Sequence, residues 1–250
     1  MKASLILIFL VCACSSVKNA PLEGVKNYNY ADVSGNYTLK REFKLEKNKL
    51  VSRVQLSAGA KILEKSVVVS QLGSIKIKNK KRIRTLRPEA SEFTVWLEGK
   101  RYFSSMRINP KNKSMSVRLE SPEERWNGKS EVPFPKAKYF CFYSQLPECL
   151  YHNSLAVQAY EQKNDQRFYV IWDSFPFIQE QLTNVGQNLF ALGIVKFEGE
   201  DKKYLKFVVE LDEQEIHFDF SKSFDLIRMS WVTQGITIVP EGEEIANDVE

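Results

Sequence analysis

The chain is 250 residues long, and its 43% hydrophobic and 12% aromatic content, spread along the whole length, excludes a disordered or low-complexity protein. With an N-terminal signal set aside, about 200 residues remain for one large domain or two small ones. The formal charge of +5 conceals an inversion: residues 1–140 carry 28 Lys and Arg against 12 Asp and Glu, a net +16, whereas residues 141–250 carry 8 against 19, a net −11. Such a division bears on partners and orientation rather than on fold.

Lys2 precedes the apolar run Leu5 to Val11, and polarity returns at Ser15 and Ser16. A basic start, a short apolar core and the small residue Ala13 make an export signal. A membrane-spanning helix needs about 20 apolar residues, more than this segment holds. The run Val11-Cys12-Ala13-Cys14 resembles the lipobox of bacterial lipoproteins, in which an aliphatic, a variable and a small residue precede a cysteine. The resemblance implies that residues 1–13 are removed, that Cys14 becomes the first residue, and that lipid joins its sulfur and usually its new amino group. Two or more acyl chains hold a protein stably at a bilayer where one does not. In that family an Asp after the cysteine often retains the protein at the inner membrane; Ser15 stands there, so the implied destination is the outer membrane. Residues 14–33, with Pro21, Gly24 and isolated tyrosines, show no apolar period and read as a lipidated tether.

A β-rich domain is expected over 34–240. Tyr37, Leu39, Phe43 and Leu45 alternate with polar residues, and after Glu46-Lys47-Asn48-Lys49 the apolar set moves to Leu50, Val54 and Leu56, the pattern of a β-hairpin. It recurs at Ile75 and Ile77 against Ile83, at Phe93 to Leu97 against Tyr102 to Ile108 around Glu98-Gly99-Lys100, and at Met115 to Leu119 after Asn109-Pro110. Consecutive strands with short polar turns imply an antiparallel meander. Residues 121–136, with Pro122, Gly128, Pro133 and Pro135, read as a linker or crossing loop, a place where two subdomains could divide.

Beyond it, Ser154 to Tyr160 fits strand or helix, Arg167 to Trp172 fits a strand, and Pro176 to Leu182 fits a short helix with Pro near its start. Strands are expected at 188–197, 204–211, 216–220, 226–231 and 236–239, and Glu241 to Glu250 reads as a solvated acidic tail. So many strands must curl to bury one face. The fold class expected is mainly β: a large antiparallel meander curved into an open half-barrel around a short helix. In its strand order, export signal and short helix before the final strands, this resembles the LolA/LolB-like superfamily of periplasmic lipoprotein and lipid carriers, which implies an apolar concave face. A closed barrel and two stacked sheets are the alternatives.

Cys141 and Cys149 are the cysteines of the mature domain. In an oxidising compartment the pair closes a small loop as a disulfide; the alternative is two buried free thiols. Zinc is disfavoured, since neither belongs to a C-x-x-C pair and histidine is scarce. Lys76, Lys78, Lys80, Lys81, Arg82, Arg84 and Arg87 make the strongest charge cluster. On a hairpin, lysines and isoleucines take opposite faces, so one face is basic, either a contact for anionic lipid or lipopolysaccharide or a strand face kept soluble by charge. His152 and His217 lie in no metal-ligand or nucleophile spacing, and Gly128-Lys129-Ser130 lacks the first glycine and the leading strand of a P-loop. No G-x-S-x-G elbow occurs. Apolar residues such as Phe168, Trp172, Phe207 and Trp231 line either a ligand cavity or a plain core.

These features point to a non-enzymatic envelope lipoprotein without cofactor or metal, with no catalytic residue to name, anchored by lipid on Cys14. Expected partners are the membrane, anionic lipid or lipopolysaccharide and envelope proteins. Nucleic acid matches the charge but not the export signal. The second expectation is an assembly factor of the envelope that works through its oppositely charged halves.

Overall fold

The computed structural model describes residues 25–76, 82–178 and 188–242. An N-terminal wing holds β1 (Val25–Asp32), β2 (Thr38–Glu46), β3 (Lys49–Ala58), β4 (Lys61–Lys76), β5 (Arg82–Leu97), β6 (Lys100–Asn109), β7 (Ser114–Glu120) and β8 (Gly128–Pro133). A C-terminal wing follows with β9 (Phe140–Phe142), α1 (Leu146–His152), α2 (Leu155–Gln162), β10 (Gln166–Ile171), β11 (Phe190–Glu200), β12 (Tyr204–Leu211), β13 (Gln214–Ser221), β14 (Leu226–Trp231) and β15 (Ile236–Pro240). Among the described residues all fifteen strands belong to one sheet, ordered β8-β7-β6-β5-β4-β3-β2-β1-β15-β14-β13-β12-β11-β10-β9. Every pairing is antiparallel except β9 with β10. The two wings are therefore meanders that join at the β1–β15 pair, through Tyr30↔Pro240, Ala31↔Val239 and Asp32↔Ile238.

The sheet curls because apolar residues alternate inward along nearly every strand and need a common core. Leu39, Leu50, Phe93, Tyr102, Met106, Phe207, Phe218 and Trp231 all point there. The concave space is filled by α1, buried along its whole length, and by α2, buried except near its C-terminal end. Pro147 occupies the first turn of α1, where a missing N–H costs nothing. Asn153 fixes the pair of helices to the sheet: its Oδ1 accepts from the Leu86 N–H at 2.5 Å. Edges β8 and β9 do not pair; side chains close the seam, with the Phe134 ring 4.7 Å from Phe140 and 5.3 Å from Phe190. A disulfide between Cys141 and Cys149 ties β9 to α1.

The mainly β class, the meander and the open, curved sheet agree with the sequence. Locally, the structure changes or decides several readings. Residues 25–32, placed in the tether, form β1, because Tyr28 and Tyr30 turn inward while Asn27 and Asn29 stay out; the Tyr30 hydroxyl donates to the Leu226 carbonyl at 3.1 Å. The stretch 121–136, read as a linker or crossing loop, carries a short 3-10 turn at Glu124–Trp126 and then β8, hydrogen-bonded to β7 in the same sheet. Ser154 to Tyr160 resolves to helix as part of α2, with Ser154 at a left-handed φ of 56° ahead of it. Pro176 to Ile178 is not helical, because tight turns from Phe175 N–H to the Trp172 carbonyl and from Phe177 N–H to the Ser174 carbonyl send the Phe177 ring into the core. Residues 179–182 of that expected helix, Cys14 and the tail beyond residue 242 lie outside the described residues.

Candidate functional site

The inner face of the N-terminal wing is unusually polar for a core. Ser52 on β3, Ser66 and Ser70 on β4, Ser91 on β5 and Ser104 on β6 are all buried. Small hydroxyl residues let the chain that leads into α1 approach the sheet and be bonded by it. Ser70 Oγ donates to Gln145 Oε1 at 2.8 Å, and Gln145 Nε2 donates to Ser52 Oγ at 2.6 Å. Asp173, fully buried after β10, accepts from Ser91 Oγ at 2.9 Å and from the Ser144 N–H at 3.3 Å, as well as from the Ser144 hydroxyl, while Ser104 Oγ donates to its carbonyl. Burial raises the Asp173 carboxyl, and the bonds from Ser144 and Ser91 pull it part of the way back.

Arg41 on β2 completes this wall. Its Nε and Nη2 reach both carboxylate oxygens of Glu148 on α1, at 3.0 and 2.7 Å, and Nη2 also donates to the Ser144 carbonyl at 2.9 Å. Both side chains are nearly inaccessible, 5% and 7% exposed. The ion pair therefore neutralises Arg41 inside the curved sheet.

Two polar groups in the same wall stay unanswered. Ser66 Oγ is buried with no hydrogen-bond partner. Two residues earlier on the same face of β4, the partly buried Glu64 carboxyl has no hydrogen bond to any described residue, and burial, followed by the charge of Asp173, pushes it up to about 7. Both line a cavity of about 160 Å³ whose other walls are largely apolar, including Leu39, Leu56, Phe93, Tyr143, Trp231 and Ile238. The cavity lies at the rim where the β1–β2, β3–β4 and β14–β15 turns meet. What it can do chemically is hold a small apolar group and offer a carboxyl and a hydroxyl to whatever polar atoms that group carries.

A raised carboxyl has a sign. The unfolded chain has already ionised Glu64 above the ordinary carboxylate range, near pH 4.5, while the folded chain keeps the proton to about pH 7, so the penalty is absent at low pH, grows between these values and is complete above them. Glu64→Gln should therefore raise the melting temperature at about pH 8 and leave it nearly unchanged at about pH 4. Thermal melts at both values check this, and an equal gain at both would remove the titration as the cause.

Glu64 and Ser66 escaped sequence reasoning, since a glutamate next to a lysine reads as surface; Lys65 is indeed exposed. The residues singled out there lie elsewhere. In the basic cluster, Lys78, Lys80 and Lys81 are outside the described residues. Lys76 faces Arg82 across the β4–β5 ladder and Ile75 faces Ile83, as a hairpin requires. Arg84 shares the Lys76 face, with Nη1 3.5 Å from His152 Nδ1, whereas Arg87 points to the other face and lines a groove with Lys113, Lys136 and Lys138. Buried His152 is pushed down to about 3, first by burial and then by Arg84, so it is neutral near pH 7. His217 is partly exposed, its Nδ1 3.3 Å from Glu198 Oε2. Of the aromatic residues considered, Trp231 reaches the cavity, while Phe168, Trp172 and Phe207 are core. Among the described residues no three His, Cys, Asp or Glu side chains gather closely enough to hold a metal ion.

No protein-family model matches the sequence, and no curated protein matches it either. Among solved structures the chain is similar to a β-barrel-like protein of the domain of unknown function DUF1849 from Brucella abortus, with 9% identity over 86% of this chain and 93% of that one and a TM-score of 0.43.

Proposed function

We propose that this protein is an envelope lipoprotein, anchored through Cys14, whose β domain is a non-enzymatic binding module for a small amphiphile. The observation that carries the reading is the apolar cavity with two polar groups left unpartnered. A buried hydroxyl without a partner costs about 1–3 kcal/mol, and a ligand that supplies the missing bond recovers it. The cavity suits one ring or the end of a chain, since apolar cavities of about 150 Å³ hold a benzene-sized guest. A larger lipid would leave most of its chains outside.

The anchor reading draws support from where the domain begins. Val25 pairs with Lys44, next to the β2–β3 turn with Lys47 and on the side of the sheet toward the tip of the β4–β5 hairpin. The start of β1 and Lys76, the described lysine of the basic cluster, thus share one rim. The cavity is at the other: Glu64 and Lys76 are twelve residues apart along β4, about 40 Å of extended chain. A membrane on the basic rim leaves the cavity facing away from it. A second reading, an assembly factor, draws on the change of charge sign falling at the boundary between the two wings. That reading expects association weakened by salt.

Mass spectrometry of the protein extracted from its native membrane tests the main reading, with acylated Cys14 and a retained small amphiphile as the expected result. Cys14→Ser should move the protein to the soluble fraction; a variant that stays fully membrane-bound would overturn the anchor.

A further inference from the structure

We infer that the cavity's guest is a primary amine with an apolar part about the size of a six-carbon chain, its ammonium seated between the Glu64 carboxylate and the Ser66 hydroxyl. This rests on the binding reading above and adds the chemical class. The charges around the cavity decide it. Arg41 lines the wall but is committed to Glu148 and the Ser144 carbonyl. Lys65 also contributes to the lining, yet it is exposed and alternates to the other face of β4. Glu64 is left as an acid without a counter-ion, and Asp173 adds to the negative field.

An ammonium has three donors and no acceptor, which complements a carboxylate and a free hydroxyl oxygen. Residues two apart on a strand face the same way with Cα atoms about 7 Å apart, near enough for the longer Glu64 side chain to lean so that one ammonium reaches both oxygens at about 2.8 Å each. A neutral alcohol would satisfy Ser66 and leave Glu64 unpaired, and a carboxylate would be repelled.

The other groups around Glu64 are Asp173 from the turn after β10, Tyr143 before α1, Arg41 on β2 with Glu148 on α1, and Lys65 on β4 itself. The Tyr143 hydroxyl is held protonated by burial. Asp173 is raised by burial as well, and its protonation acts on a bound cation with the same sign as that of Glu64.

Calorimetric titration of the full chain in detergent with hexylamine, 1-hexanol and hexanoate tests the inference. At about pH 8.5 hexylamine should bind about tenfold tighter than hexanol, with hexanoate weakest, and the preference should largely vanish at about pH 5.5, where the amine is still charged and Glu64 is not. Glu64→Gln should abolish the preference while hexanol still binds. Ser66→Ala, which removes an unpartnered buried hydroxyl and so does not weaken the fold, should weaken hexylamine about three- to tenfold. Hexanol binding as tightly as hexylamine, a preference kept in Glu64→Gln, or an unchanged affinity in Ser66→Ala would each overturn the amine while the cavity reading stands. Binding of none of the three probes would overturn both.

Discussion

Replacing Arg41 with Met should destabilise the protein by about 3–5 kcal/mol, because it leaves the Glu148 carboxylate buried without its counter-ion. The geometry makes this the most exposed point of the fold's energetics. Two guanidinium nitrogens meet two carboxylate oxygens at 3.0 and 2.7 Å, and the Ser144 carbonyl takes a further bond, all inside the curved sheet. The intact pair contributes much less than its loss costs, since desolvating both charges offsets most of their attraction. Arg41→Met combined with Glu148→Leu should therefore recover most of the stability lost in the single variant. Urea unfolding of the three proteins measures this. A single variant within about 1 kcal/mol of the parent, or a double variant as unstable as the sum of the two singles, would contradict it.

The second large effect is expected at Phe168. Its ring is fully buried on β10 and lies across Gly193, its register partner on β11. A Cβ at Gly193 would stand 2.7 Å from Phe168 Cζ, which explains why the partner strand has no side chain there. Phe168→Ala should cost about 3–5 kcal/mol through the cavity it opens, and Gly193→Ala about 1–3 kcal/mol through overpacking. The two are coupled: once the ring is gone, the Gly193 methyl fills part of the vacated space, so adding Gly193→Ala to Phe168→Ala should be neutral or stabilising. Strictly additive losses in a double-mutant cycle would show that the ring and the glycine do not share one space.

Alternation makes a strand legible when one of its faces is wet, and this held for the hairpins. Leu45 pairs with Leu50 around the turn at Lys47 and Asn48, where Lys47 has positive φ, and Leu97 pairs with Lys100 around Glu98 and Gly99, where both residues do, as a type I′ turn requires. The rule fails where polar residues face inward. Ser52, Ser70, Ser91 and Ser104 look like solvent positions until the polar chain before α1 and the turn at Asp173 supply their neighbours from far along the sequence. Val67, Val68 and Val69 lie in a row, so composition alone does not say that Val68 is the inward one; the ladder with Ser52 and Ser91 does. Tyr28 and Tyr30 misled for a related reason, since tyrosine is equally at home at a tether and in a core that offers its hydroxyl a partner. The cavity was out of reach altogether, because it is a property of where α1 fails to fill the curl and not of any one strand.

The joining of the wings at β1 and β15 also governs the order in which the molecule can be built. A chain emerging from its N-terminus can complete the local ladders β1 through β8 early, since each strand finds its neighbour a few residues on. Yet Arg41 must wait for Glu148, 107 residues later, and the Tyr30 hydroxyl must wait for Leu226, 196 residues later. The first wing is thus made with a lined concave face and nothing to cover it. Long-range closures of this kind are slow, and an uncovered apolar sheet face is the surface on which partly folded chains stick to one another. A fragment ending after β8 therefore lacks α1 and α2, the elements that cover its concave face.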